Sequence, residues 1–427
     1  MFDIGSRQVV APNRIILGFK PDTTKSPLEI IALHGLQVVD RLGEGDEFVV
    51  QLPAAEDPFA VISQLSKFAE IDYAEPDFVT IGSHLVRSQP ELELTPEAGP
   101  AAPEPDPFLK FQYAAQITQA VQAWQLASGS SGIKIAVLDE GVDVSHPDLH
   151  DAVTNSFDAI EGDFNQQPNP WDGHGTACAG LAVAIANNGL GIRGLGAGCS
   201  VMPVRIALSP QRGAKWTWIE SKVVRAIDWA WQNGADVLSN SWIGGAPGGA
   251  IENAFERARL FGRKGRGCVV VVAAGNDSGP VAFPASLANV LAVSATNEFD
   301  QPKTKSSADG ETWWGSNFGS QIDLAAPGVH NFTTDIVGAG GFNIPGNPNS
   351  DYVNNFNGTS SATPIVAGIA ALVLSVNPKL KEVQVRRLLT QTADKVGQVV
   401  YTNGRNDQMG FGRINALRAI QIAPTFI

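Results

Sequence analysis

The chain has 427 residues, enough for a large domain together with a small one. With 44% hydrophobic and 17% charged residues, it has the composition of a globular protein with a sizeable core. The 43 acidic residues outnumber the 30 basic ones, and the net charge of -13 argues against nucleic acid or an anionic membrane as a partner but allows cation binding.

The first 82 residues read as strand, helix, strand, strand, helix, strand. NRIILGFK alternates like a strand, SPLEIIALHG begins with a serine that can cap a helix, and LQVVDRL and EFVVQLP look like paired strands. DPFAVISQLSKFA has the spacing of an amphipathic helix, and DYAEPDFVTI extends after it. Residues 1–82 are therefore predicted to form a small α+β domain with a ferredoxin-like βαββαβ order.

Residues 83–106 are rich in Pro, Glu and Ala and poor in large apolar side chains, which predicts an exposed linker. The opening MFDIGSRQVVAPNR has no long apolar core of a signal peptide, and no run of eighteen apolar residues occurs elsewhere. The expectation is a soluble chain without a visible export signal. It would be cytoplasmic as written, or exported if a signal has been trimmed or another route is used.

In residues 107–427, apolar strand-like runs such as IKIAVLD, SVMPVRIAL and CVVVVAAGN alternate with helical runs. WIESKVVRAIDWAWQNG and AIENAFERARLFG are two of these helices. The alternation predicts an α/β domain with a doubly wound, mainly parallel sheet that is covered on both faces. In such sheets, ligands bind beyond the carboxyl ends of the strands.

Three cysteines, Cys178, Cys199 and Cys268, are too few for a disulfide framework and form no CxxC pair. Cys268 leads into an apolar strand and is predicted to be buried. Cys178 and Cys199 could pair if the fold brings them together.

Four polar residues are predicted to lie near the carboxyl ends of the strands, where ligands bind in such sheets. Asp139 and Asn276 end strands, and His174 and Ser360 lie at the entrances of alanine-rich helices. Hydrolysis by a serine needs a base, a carboxylate that orients the imidazole, and donors for the oxyanion. All of these parts are present. Pro364 is placed in the first helical turn, where a missing N–H is tolerated.

These segments resemble the motifs of the subtilisin-like serine proteases (subtilases, peptidase family S8). AVLDEGVDVSHPDL is similar to the aspartate motif, DGHGTACAG to the histidine motif, VVVVAAGND to the oxyanion motif and NGTSSATPIVAG to the serine motif. The departures are Glu140, where the family usually has Ser or Thr, and Ser361, where Met is common.

The resemblance implies that Asp139 orients His174, that His174 acts as general base and then general acid, and that Ser360 attacks the peptide carbonyl. The side chain of Asn276 and the backbone N–H of Ser360 would form the oxyanion hole. Ser361 is the rival nucleophile, but one step along a helix turns its side chain about 100° away.

LSNSWIGG resembles the segment that lines the specificity pocket, which implies that Ser241, Trp242, Ile243 and Gly244 lie along its wall. RGAKW, which begins at Arg212, is expected to supply the other edge strand, so that a polypeptide substrate adds itself between the two. Asp277 at the rim could favour a basic P1 residue, and an exposed turn carboxylate is the alternative.

IANNGLGIRG resembles the calcium loop of the family, and calcium is the only cofactor that the resemblance implies. The ligands would be the Asn188 side chain, the Asp148 carboxylate and the carbonyl groups of Ala186, Leu190 and Ile192. An Asn-Gly loop that is a plain turn is the alternative.

The leading domain resembles the propeptides of this family, which act as folding aids and as inhibitors. Its last strand would enter the cleft as a product-like peptide, with P1 near Ser83 and Thr80 at P4. Self-cleavage is expected between Ile81 and Arg87. A permanent accessory domain is the alternative.

The predicted activity is that of a serine endopeptidase made as a self-inhibited zymogen. An esterase is a second enzyme hypothesis, but Gly-X-Ser-X-Gly is absent around Ser360. A peptide-binding pseudoprotease that keeps only the groove is the non-enzymatic alternative.

Overall fold

A computed structural model describes residues 8–21, 23, 25–43, 45–54, 56–82, 106–245, 247, 249–342 and 351–426. The predicted linker, residues 83–106, and the P1 residue Ser83 therefore lie outside the described residues, except for Asp106.

The N-terminal domain has the predicted order of elements. They are β1 (Gln8–Phe19), α1 (Pro27–Leu33), β2 (Gln37–Leu42), β3 (Glu47–Gln51), α2 (Pro58–Leu65) and β4 (Ile71–Gly82). Ser26 caps α1 through a capping box with Glu29, and the Asp57 carboxylate accepts from the N–H of Phe59 at the start of α2. The antiparallel strands lie in the order β2-β3-β1-β4, which confirms the ferredoxin-like prediction, and the two helices cover a small apolar core on one face.

The larger domain begins with α3 (Tyr113–Ile117), α4 (Ala120–Leu126), β5 (Lys134–Asp139), β6 (Phe157–Asp158), α5 (His174–Val183), β7 (Ser200–Arg205), β8 (Trp216–Ile219) and α6 (Glu220–Gln232). It continues with β9 (Val237–Asn240), α7 (Gly249–Gly265), β10 (Val269–Ala273), β11 (Leu291–Thr296), β12 (Leu324–Pro327), β13 (Asn331–Thr334) and β14 (Tyr352–Phe356). The last helices are α8 (Thr359–Val376), α9 (Glu382–Thr392) and α10 (Ala416–Ile422).

Seven of these strands form one parallel sheet in the order β12-β11-β10-β9-β5-β7-β6. One face of the sheet packs on α5 and α8 and the other on α6 and α7, so the core forms two apolar layers. The predicted doubly wound α/β fold is therefore confirmed.

Helix α8 is long and apolar enough to cross a membrane, but 83% of it is buried inside the protein, which is the pattern of a core helix. Its second residue is Ser360, so α8 links the core to the carboxyl edge of the sheet.

Three local predictions are wrong. The helix predicted from Trp218 begins at Glu220, because Trp218 and Ile219 belong to β8. The edge strand β8 begins at Trp216 rather than at Arg212, because Gly213 adopts a positive φ in a turn. Pro364 is the sixth residue of α8, in its second turn rather than its first.

The three cysteines are free and buried, so Cys178 and Cys199 do not pair. The Cys199 thiol lies 3.3 Å from the Ser375 hydroxyl, and Cys268 is a buried residue directly before β10, as predicted.

Candidate active site

The carboxyl ends of β5, β9 and β10 and the first residues of α5 and α8 meet at one edge of the parallel sheet. Asp139 is the last residue of β5 and His174 the first of α5, and both side chains are buried. The imidazole Nδ1 lies 2.9 Å from Oδ1 and 3.0 Å from Oδ2 of Asp139. The backbone N–H of Glu140 also donates to Asp139 Oδ1, so the carboxylate is held in place.

Ser360 is half-buried at the entrance of α8. Its hydroxyl donates to the carbonyl of Ser241, at 3.1 Å. The carbonyl of Ser360 accepts from the Ser241 hydroxyl at 2.8 Å and from the Cys178 thiol at 3.6 Å. Pro364 has no N–H to donate to this carbonyl four residues earlier, which leaves it free for both side chains.

Asn276 follows β10 and is half-buried next to this helix entrance. Its Oδ1 accepts from the backbone N–H of Thr359 at 2.8 Å and from the Thr359 hydroxyl at 3.0 Å. Because the oxygen of the amide is taken up in this way, its NH2 group is the end available to a ligand.

Ser361 points away from the cleft. It is fully buried, and its hydroxyl lies 2.6 Å from the Asn331 side-chain nitrogen, which donates to it. This placement agrees with the predicted divergence of neighbouring helical side chains.

The predicted substrate segment follows β9 at the same edge. Ser241 and Trp242 are buried and Ile243 and Gly244 are partly exposed, but the Trp242 ring packs against Trp218 and Phe255 in the core. Trp242 therefore contributes only its backbone to a groove. Asp277 is exposed at the rim.

The last strand of the N-terminal domain continues into this groove. Strand β4 pairs antiparallel with β8, from Val79 opposite Ile219 to Gly82 opposite Trp216. On its other side, the Thr80 hydroxyl accepts from the N–H of Gly245 at 3.2 Å.

Two carboxylates of β4 fasten the N-terminal domain to helices of the larger domain. Glu75 accepts from the backbone N–H groups of Gly249 and Ala250 at the start of α7, at 3.0 and 2.9 Å. Asp77 accepts from the N–H and the hydroxyl of Ser221 at the start of α6. Both pairs satisfy amides that have no partner within the helix.

The predicted calcium loop wraps around a buried carboxylate. Asp148 Oδ1 accepts from the Asn188 amide at 2.8 Å, and Oδ2 accepts from the N–H of Ile192 at 2.9 Å. The Asn188 oxygen accepts from the N–H of Leu190. Burial raises the pKa of Asp148 to about 6.

Three residues with a place at these sites were not predicted. The Cys178 thiol lies 3.8 Å from His174 Nδ1, and its spacing of four on α5 is the signal that places it on the same helix face. Asp172, beside Glu140, has a pKa raised to about 6 by burial and by that neighbour. Asp106 accepts from the N–H of Asn187 in the calcium loop, and no local pattern points to it.

Comparison with known proteins agrees with this arrangement. The subtilase family model matches residues 130–412, and the model of the fervidolysin N-terminal prodomain matches residues 6–77. Thermitase of Thermoactinomyces vulgaris is 36% identical over 318 residues, which cover 74% of this chain and 98% of thermitase. The calcium-dependent protease of Trichormus variabilis is 36% identical over 333 residues, which cover 70% of this chain and 48% of that protease.

The chain thus spans about half the length of the calcium-dependent protease that it matches. Among solved structures, fervidolysin from Fervidobacterium pennivorans, described as a keratinolytic enzyme related to subtilisin, superposes with a TM-score of 0.71. The superposition covers 98% of this chain and 62% of fervidolysin, and the 23% identity supports the fold alone.

The parallel sheet with its helices has the subtilisin fold, and an antiparallel α+β domain precedes it. The chain belongs to the subtilase family and carries a fervidolysin-like N-terminal prodomain.

Proposed function

We propose that this chain is a serine endopeptidase that works through Asp139, His174 and Ser360 and is made as a self-processing zymogen. The observation that carries the proposal is the buried contact of 2.9 Å between His174 Nδ1 and Asp139, at the sheet edge where Ser360 also lies. Family membership supports a peptide bond as the substrate.

Asp139 keeps the proton of the imidazole on Nδ1, so Nε2 is the nitrogen whose lone pair accepts a proton. The Ser360 hydroxyl leaves the Ser241 carbonyl, gives its proton to Nε2 and attacks the peptide carbonyl. The imidazolium then gives this proton to the leaving amine, and an acyl-enzyme forms. Water repeats the sequence, and the acid product leaves.

The tetrahedral oxyanion is stabilised by the NH2 group of Asn276 and by the N–H of Ser360. The hydrogen bonds from Thr359 hold the Asn276 amide in the orientation that this role needs.

The substrate backbone binds as an added strand between the segment Ser241–Gly244 and the edge formed by β8 and the turn that precedes it. The Arg212 side chain donates to the carbonyl of Gly341 at 3.0 Å, which supports this edge. A preference for basic P1 residues through Asp277 stays a prediction, tested by comparing Lys and Phe P1 peptides.

Residues 1–82 act as an intramolecular inhibitor, residues 83–106 as a linker and residues 107–427 as the catalytic domain. The pairing of β4 with β8 supports this division, since it holds the last strand of the N-terminal domain, up to Gly82, against an edge strand of the larger domain. The assignments of P1 near Ser83 and P4 to Thr80 stay predictions, and N-terminal sequencing of matured enzyme tests the expected window from Ile81 to Arg87.

Hydrolysis of peptide substrates by a Ser360→Ala variant tests the proposal. We expect kcat to fall by about 10⁶, because the nucleophile of the unit is lost. Ser361→Ala is the matched control and should keep most of the activity. Undiminished hydrolysis by Ser360→Ala would remove this serine from the mechanism.

We also propose that the loop of residues 186–192 binds calcium. Its donors are all oxygen atoms, which suit a hard cation: the Asp148 carboxylate, the Asn188 amide and the carbonyl groups of Ala186, Leu190 and Ile192. Asp106 adds a second carboxylate close enough to raise the pKa of Asp148. Relatives named calcium-dependent proteases support the choice of metal.

Chelation tests this second proposal. Removing calcium should lower the Tm of the full chain, whereas the Tm of Asp148→Asn should respond far less to the chelator. Equal Tm values of the wild-type chain with and without chelator would contradict a bound structural ion.

A further inference from the structure

The segment of residues 303–314 is folded around a buried ammonium group. Lys303 Nζ donates to the carbonyl groups of Thr304 and Glu311, at 2.7 and 2.6 Å, and lies 3.0 Å from Asp309 Oδ1. The side chains of Lys303 and Asp309 are fully buried. The ammonium thereby fixes the backbone that carries Glu311.

The Glu311 carboxylate reaches from this segment to the residues that precede Ser360. Its Oε1 accepts from the Asn357 side-chain nitrogen at 2.8 Å, and its Oε2 accepts from the indole N–H of Trp314. Glu311 and Asn357 are both buried.

Asn357 stands three residues before Ser360, and its other side-chain atom is also taken. Its Oδ1 accepts from the backbone N–H of His330 at 2.7 Å, and the next residue, Gly358, donates its N–H to the carbonyl of Gly328 at 2.8 Å. The chain leading to Ser360 is thus held from two sides.

We propose that Glu311 is a positioning residue for the nucleophile, which acts by holding Asn357, and that contact with the imidazole of His330 keeps Glu311 in place. This inference rests on the proposed role of Ser360 and adds to it a part played by residues 298–330.

The His330 ring lies between two carboxylates. Its Nδ1 is 3.3 Å from Glu298 Oε1 and its Nε2 is 3.4 Å from Glu311 Oε1. Hydrogen bonds to Glu298 and Glu311 raise the pKa of His330 to about 9, so the ring is charged at neutral pH. Burial favours a protonated Glu311, but bonds from His330 and Trp314 hold the pKa of this carboxyl below its usual value.

The other ionisable groups near His330 are held in ion pairs or hydrogen bonds of their own. Asp309 and Lys303 pair with each other, and Asp300 pairs with Arg413. Burial raises the pKa of Tyr113, whose hydroxyl donates to the Val329 carbonyl, well above its usual value. The His330 ring, by contrast, has its pKa raised to about 9 by the two carboxylates that it contacts.

The contribution of His330 to the stability of this segment is lost at alkaline pH. The pKa of His330 is raised in the folded protein, so its contribution is complete below pH 6.5 and is lost as the pH rises through about 9. Above this pH, the His330 ring is neutral and no longer balances the charge of the buried Glu311 carboxylate, so the hold of Glu311 on Asn357 weakens.

The test measures kcat and KM separately between pH 6 and 11 for matured enzyme with a neutral peptide substrate. We compare the wild type with Glu311→Gln, His330→Gln and His330→Arg, and use Glu161→Gln, an exposed carboxylate elsewhere, as the control. Both replacements put a long side chain on a residue with a positive φ, so His330→Gln and His330→Arg carry a similar conformational cost. They differ in charge.

We expect the wild-type kcat to fall about tenfold as the pH rises through 9, with little change in KM. A small displacement of a reacting group lowers the rate of the chemical step by roughly this factor. His330→Arg should keep its kcat to pH 10, whereas His330→Gln and Glu311→Gln should show the low kcat already at pH 7. Glu161→Gln should follow the wild type.

Identical pH profiles of kcat for the wild type, His330→Gln and His330→Arg would overturn the inference. The mechanism through Ser360 would stand in that case, because it depends on the separate loss of activity in Ser360→Ala.

Discussion

Ser360 owes its orientation to a hydrogen bond that a proline leaves unmade. Within a regular helix, the Ser360 carbonyl would accept from the N–H of residue 364, but residue 364 is proline. The carbonyl instead accepts from Ser241 and Cys178, which anchor the helix entrance to β9 and α5. A residue that usually weakens a helix interior here joins the two sides of the cleft.

Asn276→Ala tests the oxyanion role at the residue scale. We expect kcat to fall by about 10²–10³ with KM nearly constant, because the lost donor acts on a charge that exists only in the transition state. Steady-state kinetics with a peptide substrate measure both constants. The variant Asn165→Ala, the same change at an exposed position, is the control, and an equal loss in both variants would contradict the assignment.

Site residues could be predicted from the sequence where the signal lies in the residues next to them in the chain. Asp139 ends an apolar strand and Ser360 follows a glycine at a helix entrance, and both features are visible in a few neighbouring letters. Glu311 was not predicted, because its partner Asn357 is 46 residues away and lies in an irregular segment. Only the packed chain shows such pairs.

At the scale of elements, the junction of the two domains is a strand pair. The four residues of β8 directly precede α6. Because helical spacing of apolar residues already begins at Trp218, the predicted helix included the last two residues of the strand. Strand β4 pairs with the edge of β8. It thereby supplies hydrogen-bond partners for backbone groups that would be unpaired in an edge strand.

Gly82→Ala tests this strand pair. A Cβ at residue 82 would lie 2.2 Å from the ring of Trp216, so β4 must move away from β8. We expect a loss of about 1–3 kcal/mol in local stability. Hydrogen exchange of the Val79–Gly82 amides in the inactive Ser360→Ala chain measures it and should become roughly 10–100 times faster.

Gly132→Ala is the matched control, since this exposed glycine has room for a methyl group. Unchanged exchange in Gly82→Ala would mean that the pairing does not hold the prodomain in place.

At the scale of the whole molecule, carboxyl groups gather where the two domains meet. Glu75 and Asp77 of β4 face Glu220, the first residue of α6, which is fully buried and has both carboxyl oxygens without a hydrogen-bond partner among the described residues. Burial raises the pKa of Glu75 to about 7 and raises the pKa values of Asp77 and Glu220. Arg14 and Lys222 are the nearby cations.

The prodomain is therefore predicted to bind less tightly as the pH rises. Glu75, with a raised pKa in the closed state, stabilises it fully below its ordinary pKa of 4.5, and this contribution is lost as the pH rises through about 7. The raised pKa of Glu220 acts in the same direction. Exchange of the β4 amides in the Ser360→Ala chain, corrected for intrinsic rates, should accelerate between pH 5 and 8. Glu220→Gln should reduce this acceleration.

Glu252→Gln changes an exposed carboxylate of α7 and serves as the control. A pH dependence that is the same in Glu220→Gln and in the parent chain would show that this carboxyl group does not titrate on opening.

The architecture of both domains was predictable because each depends on a repeated pattern: alternation and helical spacing in the first, and apolar strands between helices in the second. The docking of the two domains was only partly predictable. The sequence indicated that the last strand of the prodomain enters the cleft, but β8 as its partner and the capping of α6 and α7 by Asp77 and Glu75 depend on tertiary contacts.

The most direct measurement of the central claim is labelling by a fluorophosphonate probe, followed by peptide mapping of the modified residue. The account predicts one phosphonylated residue, Ser360, in matured enzyme, and no labelling in Ser360→Ala or His174→Ala. Labelling of Ser361 or of any other serine, or an unlabelled but folded wild-type enzyme, would contradict it.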